Sequence, residues 1–223
     1  KKNKKLYVTH TPDNKIIDEY IIANVSNFTN SKVVSMSICD TTAIAPILVA
    51  INDINGIKNG NLVTLHPWLN YQNLSDNSVI STDVPNSYWS DYALGRKSTE
   101  ALIPKTTSAI KALGKVFPDL AKKLRSWSYR VPTPVISTAL LTLNLHKKVA
   151  DVTELKKNIS KIKGVTFSKR NLVSTDYIGL EANCALDLDS VQINDDTLFL
   201  SLWYDNEYGY SSQIIDYILK NEE

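Results

Sequence analysis

The sequence predicts an α+β fold built around a mixed β-sheet. Many short segments are rich in β-branched and aromatic residues, which is typical of strands, and only a few helical segments separate them. None of the seven glycines belongs to a G-x-G-x-x-G pattern, so these residues contain no dinucleotide phosphate loop of that type. The chain has no internal repeat and no low-complexity segment. Several strands with few helices between them therefore favour one mixed sheet with helices packed on it.

The first 70 residues predict four strands and one helix. The strands are KLYVTH, EYIIANV, KVVSMSI, which ends beside Cys39, and GNLVTLHPW, which leads to His66. The segment TAIAPILVAINDI is expected to be a helix that stops near Gly56, with Pro46 in its first turns or at a kink. The N-terminal capping groups offered to this helix are Asp40, Thr41 and Thr42.

The rest of the chain predicts a long loop followed by alternating helices and strands. Residues 67–98 are rich in Asn, Ser, Asp and Tyr, and a loop of this size is often functional. One helix is expected over TTSAIKALGKVFPDLAKKL with a break near Pro118, and another over DVTELKKNISKI, beginning at Asp151 or Thr153. The remaining strands are SYRVP, VISTALLTLNLHKK, GVTFS, SVQIN and TLFLSLWYD, and the last helix is YGYSSQIIDYILK.

The composition excludes several classes of function. Lys and Arg number 25 against 23 Asp and Glu, and a net charge of +2 argues against a nucleic-acid or membrane partner. No apolar run approaches the roughly 20 residues of a membrane span, and KKNKK does not begin a signal peptide. Two cysteines make no disulfide framework, which favours a reducing, cytoplasmic setting. No Cys, His or carboxylate cluster has metal-ligand spacing, so no metal site is expected.

Cys39 stands where the first helix should begin. The free N–H groups and the positive end of a helix dipole favour a thiolate there, although the charge of Asp40 opposes this. A nucleophilic thiol also needs a base, and His66, which ends a strand before the polar loop, is a better candidate than His10 or His146. From position alone, a half-buried structural cysteine and a structural histidine remain open alternatives.

Five strings, in one order along the chain, resemble phosphorylating glyceraldehyde-3-phosphate dehydrogenase. They are SICDTTAIAP, TLHPW, RVPTP, LVSTDYIG and WYDNEYGYS. The resemblance covers most of the chain and implies the family's catalytic domain, a mixed sheet packed with helices. It also implies that the last strands of a Rossmann-type domain, otherwise absent, precede it. The division that follows is 1–36 as the remnant of the NAD-binding domain, 37–205 as the catalytic domain and 206–223 as the C-terminal helix.

The resemblance implies a chemistry that suits these residues. The Cys39 thiolate would attack an aldehyde carbonyl, and His66 would act as its base while hydride leaves for NAD. Inorganic phosphate would then take the acyl group from the thioester. Asn206 would hold the nicotinamide carboxamide and Tyr210 would lie beside it, although plain packing remains an alternative for Tyr210.

The sequence departs from the family at its anion sites. A serine and two threonines of the family are replaced by Ile38, Asp40 and Leu69. Leucine and isoleucine offer no donor to a phosphate. Thr107 and Arg130 are expected to form the surviving anion pocket, and Arg96 falls in the family's arginine-bearing segment. Substrate recognition is therefore expected to be altered while the cysteine chemistry is kept.

Three readings of the function stay open from the sequence. The first is a phosphorylating, NAD-dependent aldehyde dehydrogenase that works as a cytoplasmic homo-oligomer, a tetramer in the family. The second is a related aldehyde dehydrogenase with a different substrate, and the third is a degenerate, non-enzymatic paralogue. Because the cofactor fold is not among these residues, the chain alone is expected to bind NAD weakly and to lack useful dehydrogenase activity.

Overall fold

The computed structural model describes residues 7–9, 15–22, 32–77 and 92–222. The strands are β1 (Tyr7–Thr9), β2 (Glu19–Tyr20), β3 (Val33–Ser35), β4 (Ile57–Pro67), β5 (Ile103–Lys105), β6 (Leu124–Val131), β7 (Ser137–Leu145), β8 (Val165–Ser168), β9 (Cys184–Asp187), β10 (Gln192–Asn194) and β11 (Thr197–Tyr204). The helices are α1 (Cys39–Asn55), α2 (Ala109–Leu113), α3 (Pro118–Lys122), α4 (Val152–Ile159) and α5 (Tyr208–Glu222). No helix in these ranges is both long and apolar enough to cross a membrane.

Two sheets organise the described residues. The large sheet has the order β5-β6-β4-β7-β11-β9-β8, with β10 paired to β11. Its β4–β6 and β8–β9 pairs are parallel and its other pairs are antiparallel. The small sheet pairs β1, β3 and β2 in parallel. This mixed sheet with packed helices confirms the α+β class predicted from the sequence.

Helix α1 lies against one face of the large sheet and carries much of the core. Its side chains Ile44, Ile47 and Leu48 are fully buried. Pro46 lies inside the helix and has no N–H to donate to the carbonyl four residues earlier, that of Thr42. The Asn183 side chain donates to that carbonyl instead, at 3.0 Å, so the helix continues through the proline.

The capping prediction for α1 is wrong. The residue before the helix is Ile38, and no side chain caps it. The three expected capping residues are buried and bond elsewhere, Thr41 to the Ala109 carbonyl at 3.0 Å and Asp40 to the Tyr204 hydroxyl at 2.8 Å. Helix α4 does begin with the expected N-terminal cap, because the side chain of Asp151 accepts from the Glu154 N–H at 2.8 Å.

Several sequence expectations change in detail. The helix expected around Pro118 consists of the two short helices α2 and α3, with Pro118 as the first residue of the second. The sequence missed β9 and β5, which have four and three residues. Of the loop expected at 67–98, residues 92–95 form a 3₁₀ turn and residues 78–91 lie outside the described ranges. Parts of the strands expected over KLYVTH and EYIIANV lie outside them as well.

The small sheet packs against the C-terminal helix. Ile21, Val34 and Met36 form a buried cluster against Tyr210 and Ile214 of α5. The residues before α1 and those after β11 are thus joined by apolar packing. The domain boundaries at 36 and 205 stay a prediction.

Candidate active site

The strand register brings four polar side chains into one row across the large sheet. In the parallel β4–β6 pair His66 is level with Arg130, and in the antiparallel β7–β11 pair Ser137 is level with Tyr204. The β4–β7 pairing ends one residue earlier, at Leu65 and Thr138, so His66 and Ser137 are the next residues along these two strands. Because side chains alternate across a strand, the buried His66 and Tyr204 point to the face that α1 covers.

Cys39 is the first residue of α1 and lies beside this row. Its Sγ is 3.8 Å from Nε2 of His66, and the side chain is half-buried. The preceding turn is unusual, because Ser37 has a φ of 64°, in the left-handed region that few non-glycine residues adopt. The Tyr210 hydroxyl donates to the Ser37 carbonyl at 2.8 Å and holds this turn in place.

The hydrogen bond of His66 to the backbone fixes which ring nitrogen faces the thiol. Nδ1 lies 2.9 Å from the Pro67 carbonyl oxygen, which can only accept, so Nδ1 carries the proton. In the neutral imidazole Nε2 then has a free lone pair, and Nε2 is the atom that faces Cys39. The pair is arranged for proton transfer from the thiol to the imidazole.

Asp40 places a buried carboxylate against the thiol. One oxygen accepts from the Tyr204 hydroxyl at 2.8 Å and lies 3.6 Å from Sγ of Cys39. The other accepts from the Thr107 hydroxyl at 3.2 Å. The side chain lies in the first turn of α1, where the helix dipole favours a negative charge. The sequence predicts Asp40 as a capping group whose charge opposes the thiolate in part, whereas in the structure it contacts three side chains of the site.

The electrostatic environment favours a neutral thiol and a neutral imidazole. Burial, followed by the charge and the hydrogen bond of Asp40, raises the pKa of Cys39 well above its ordinary value of 9.0. Burial and the positive charge of Arg130 lower the pKa of His66 from 6.5, against the opposing charge of Asp40. The helix dipole was expected to lower the pKa of the thiol, and here burial and Asp40 outweigh it.

The three candidate anion-binding residues differ in their surroundings. Arg130 lies next to His66 in the sheet, and its buried Nε makes no hydrogen bond to any described residue. Thr107 reaches the site, but its hydroxyl proton goes to Asp40. Arg96 is exposed and pairs with Asp76 at 3.0 Å, and in the described ranges it makes no hydrogen bond or ion pair with Cys39 or His66.

The two candidate cofactor residues lie around the start of α5. Asp205 accepts from the N–H groups of Glu207 and Tyr208, at 3.0 and 2.8 Å, and so caps the helix. Asn206, beside it, accepts from the Ser137 hydroxyl at 3.4 Å, and its amide nitrogen donates to no described residue. Ser137 belongs to the row that contains His66, so Asn206 lies at the edge of the same site.

One group of side chains in the described ranges has the donors and spacing to hold a metal ion. The Sγ of Cys39, a carboxylate oxygen of Asp40 and a ring nitrogen of His66 all lie within 4.8 Å of one another. Sequence spacing gave no sign of this group, because Cys39 and His66 are 27 residues apart and meet only through the fold.

The fold and the site define a cysteine–histidine α+β domain, and comparison with known proteins places it in a family. The family described as glyceraldehyde 3-phosphate dehydrogenase, C-terminal domain, matches residues 38–206. A glyceraldehyde-3-phosphate dehydrogenase-like protein of Pseudomonas aeruginosa is 34% identical over 198 residues, which is 83% of this chain and 40% of that protein. The chain therefore belongs to the glyceraldehyde 3-phosphate dehydrogenase family, as its C-terminal domain.

Two eukaryotic relatives match to a similar extent. The cytosolic glyceraldehyde-3-phosphate dehydrogenase of Ranunculus acris is 37% identical over 193 residues, covering 84% of this chain and 54% of the relative. Glyceraldehyde-3-phosphate dehydrogenase 2 of Mucor circinelloides f. lusitanicus is 36% identical over 201 residues, covering 86% and 56%. The chain thus spans about half the length of the curated relatives it matches.

Proposed function

We propose that this chain carries the acylating cysteine of an NAD-dependent aldehyde dehydrogenase. In this function Cys39 adds to the carbonyl carbon of an aldehyde, and oxidation leaves an acyl thioester on its sulfur. The observation that carries the proposal is the 3.8 Å approach of the Cys39 thiol to the lone-pair nitrogen of His66. Family membership supports the same reaction class. A non-enzymatic role gives no reason for this pairing.

His66 moves one proton three times in the proposed steps. Because the pKa of Cys39 is raised and that of His66 is lowered, the thiol keeps its proton at rest and gives it to Nε2 as the S–C bond forms. Nε2 then passes the proton to the carbonyl oxygen, completing the thiohemiacetal. It takes the proton back when the carbon loses its hydride and becomes a thioester. The Cys39 N–H, at the start of α1, stabilises the developing oxyanion.

NAD, when bound, supplies the hydride acceptor for this oxidation. Among the described residues Asn206 suits it best, because its amide nitrogen is without a described partner and matches the oxygen of a carboxamide. Tyr210 has a different part here. Its hydroxyl is bonded to the Ser37 carbonyl, so it holds the turn that positions Cys39.

Arg130 is the residue proposed to select the substrate. Its guanidinium is close enough to affect the pKa of both Cys39 and His66, and its buried Nε lacks a hydrogen bond to any described residue. A buried donor without a partner is costly, and an anionic group on the aldehyde would satisfy it. The proposed substrate is therefore an aldehyde with a phosphate or carboxylate group. Arg96, exposed and paired with Asp76, has no part in this proposal.

Exposed apolar side chains on the face of the large sheet opposite α1 support the proposed homo-oligomer. Val63 is level with Trp127 on one neighbouring strand and with Leu140 on the other. Trp127, Leu140 and Phe199 on this face are 53%, 43% and 36% exposed. An apolar patch of this kind is typical of an interface. Sedimentation of the chain and of its Trp127→Lys and Leu140→Lys variants tests this, since an unchanged mass would contradict the proposed interface.

The proposed function is tested by acylating the chain with p-nitrophenyl acetate, which needs no NAD. We expect a burst of p-nitrophenolate that disappears in Cys39→Ala and slows about 10²- to 10⁴-fold in His66→Gln, because a general base is lost. Cys184→Ala and His146→Gln are the matched controls. Cys184 is buried and its pKa is raised to about 12, and His146 is exposed, so both variants should behave as the parent chain. A burst that survives in Cys39→Ala would refute the proposal.

A further inference from the structure

We propose that the acyl group on Cys39 is transferred to water, and not to inorganic phosphate, because the Asp40 carboxylate already occupies the anion position beside the thiol. The product is then a carboxylic acid. This inference rests on the proposed function, since it concerns the thioester that Cys39 is proposed to carry.

The first observation is that Asp40 is an anion built into the fold. It is 7% exposed, and both of its oxygens accept from side-chain hydroxyls, those of Tyr204 and Thr107. Two hydroxyl donors suit a carboxylate, and the charge of Asp40 is also one cause of the raised pKa of Cys39. Asp40 also lies in the first turn of α1. The positive end of the helix dipole, which would otherwise attract a free anion, therefore already has a negative side chain beside it.

The second observation is that an incoming phosphate would lose a donor and meet a like charge. The Thr107 hydroxyl, expected from the sequence to bind an anion, donates to Asp40 instead. Because Sγ lies 3.6 Å from a carboxylate oxygen, phosphate that attacks the acyl carbon on Sγ comes within about 6–8 Å of that charge. At an effective dielectric of about 20, this repulsion lowers phosphate occupancy roughly 30- to 100-fold. Arg130 remains available for the anionic end of the substrate itself.

Water is neutral, so the Asp40 charge does not repel it, and it does not need the Thr107 donor. The base that it needs is present. His66 Nε2 lies 3.8 Å from the sulfur, and it is a free base again once the proton that it took back during the oxidation has been released to solvent. In the proposed step the water oxygen forms a bond to the acyl carbon and its proton goes to Nε2. The C–S bond then breaks, and the proton passes from Nε2 to the Cys39 sulfur. Neither oxidant nor reductant is consumed in this half of the reaction.

The closing experiment follows the turnover of p-nitrophenyl acetate after the burst, which reports removal of the acetyl group from Cys39. Potassium phosphate is varied at constant ionic strength against potassium sulfate, and acetate and acetyl phosphate are separated by NMR. We expect the parent chain to turn over at a rate independent of phosphate and to release acetate only. In Asp40→Asn and Asp40→Thr we expect phosphate to accelerate turnover, by up to roughly 30- to 100-fold relative to its effect on the parent.

Asp53→Asn removes an exposed carboxylate from the same helix and should behave as the parent chain. Acetyl phosphate from the parent chain, or phosphate acceleration that does not depend on residue 40, would overturn the inference while leaving the acyl-Cys39 proposal standing. Absence of the burst in the parent chain would overturn both. The Asn variant keeps an acceptor for Tyr204, so a folded comparison remains if the Thr variant is unstable.

Discussion

Replacing Asp40 by Asn should make Cys39 more reactive toward an alkylating agent. The carboxylate raises the pKa of the thiol through its charge and its hydrogen bond, and the amide removes the charge. A thiol with a lower pKa has a larger thiolate fraction at any pH below that pKa. The amide oxygen can still accept from Tyr204, as the carboxylate does at 2.8 Å, so the packing around α1 should hold.

The magnitude follows from the 3.6 Å between the carboxylate oxygen and Sγ. A unit charge at this distance acts with about 1 kcal/mol in a water-like dielectric and about 4–5 kcal/mol at an effective dielectric of about 20. A less basic thiolate is also a weaker nucleophile, so about half of the gain in log rate remains. The expected acceleration is therefore about 3- to 50-fold at pH 8.

The assay measures iodoacetamide labelling of the Cys39 peptide by mass spectrometry over time. Asp53→Asn is the matched control and should label at the parent rate. Cys184, which is fully buried, serves as an internal check that the chain stays folded, because it should stay unlabelled. Labelling of Asp40→Asn that is equal to or slower than the parent's would refute the role given to Asp40.

Asn183→Ala should lower the free energy of unfolding by about 1–3 kcal/mol in urea, because the Thr42 carbonyl that Pro46 leaves without a donor loses its partner; an unchanged midpoint would contradict this. The rate of the p-nitrophenyl acetate burst should fall only below about pH 6.5, because a lowered pKa keeps His66 neutral to more acidic pH. A rate that already falls to half its maximum above this pH would contradict His66 as the base. Calorimetric titration should find NAD binding to the chain weaker than micromolar, because Asn206 contributes only to the nicotinamide end and no G-x-G-x-x-G loop is present; micromolar binding would show that other residues hold the cofactor.

The sequence predicted the fold class and the longer elements because their periodic patterns are local. Strands β4, β7 and β11 alternate clearly, and Asp151 caps α4 as its position indicates. Strand β9 was missed because its four residues lie between polar segments and are defined by pairing with β11 and β8. Short strands of this kind depend on tertiary pairing more than on their own composition.

The candidate site was only partly predictable for a similar reason. The sequence indicated Cys39 as a nucleophile because it is a rare thiol at the start of a helix, and His66 as its base because it ends a strand. The contacts of Asp40 could not be predicted, because a carboxylate in the first turn of a helix normally caps that helix. Here the hydroxyl of Tyr204, 164 residues away in the chain, donates to the Asp40 side chain instead. Local capping rules fail where a distant partner offers a better hydrogen bond. The position of Arg130 beside His66 likewise depends on strand register, which the sequence pattern does not specify.

The most direct test of the central claim is to observe Cys39 adding to an aldehyde. Binding of an aldehyde with a ¹³C-labelled carbonyl, followed by NMR without NAD, should convert the carbonyl signal of the bound fraction to that of a thiohemiacetal. We expect the new signal in the parent chain and in Cys184→Ala, and its loss in Cys39→Ala. A parent chain that gives no such signal, or a Cys39→Ala variant that keeps it, would contradict the assignment of Cys39 as the nucleophile.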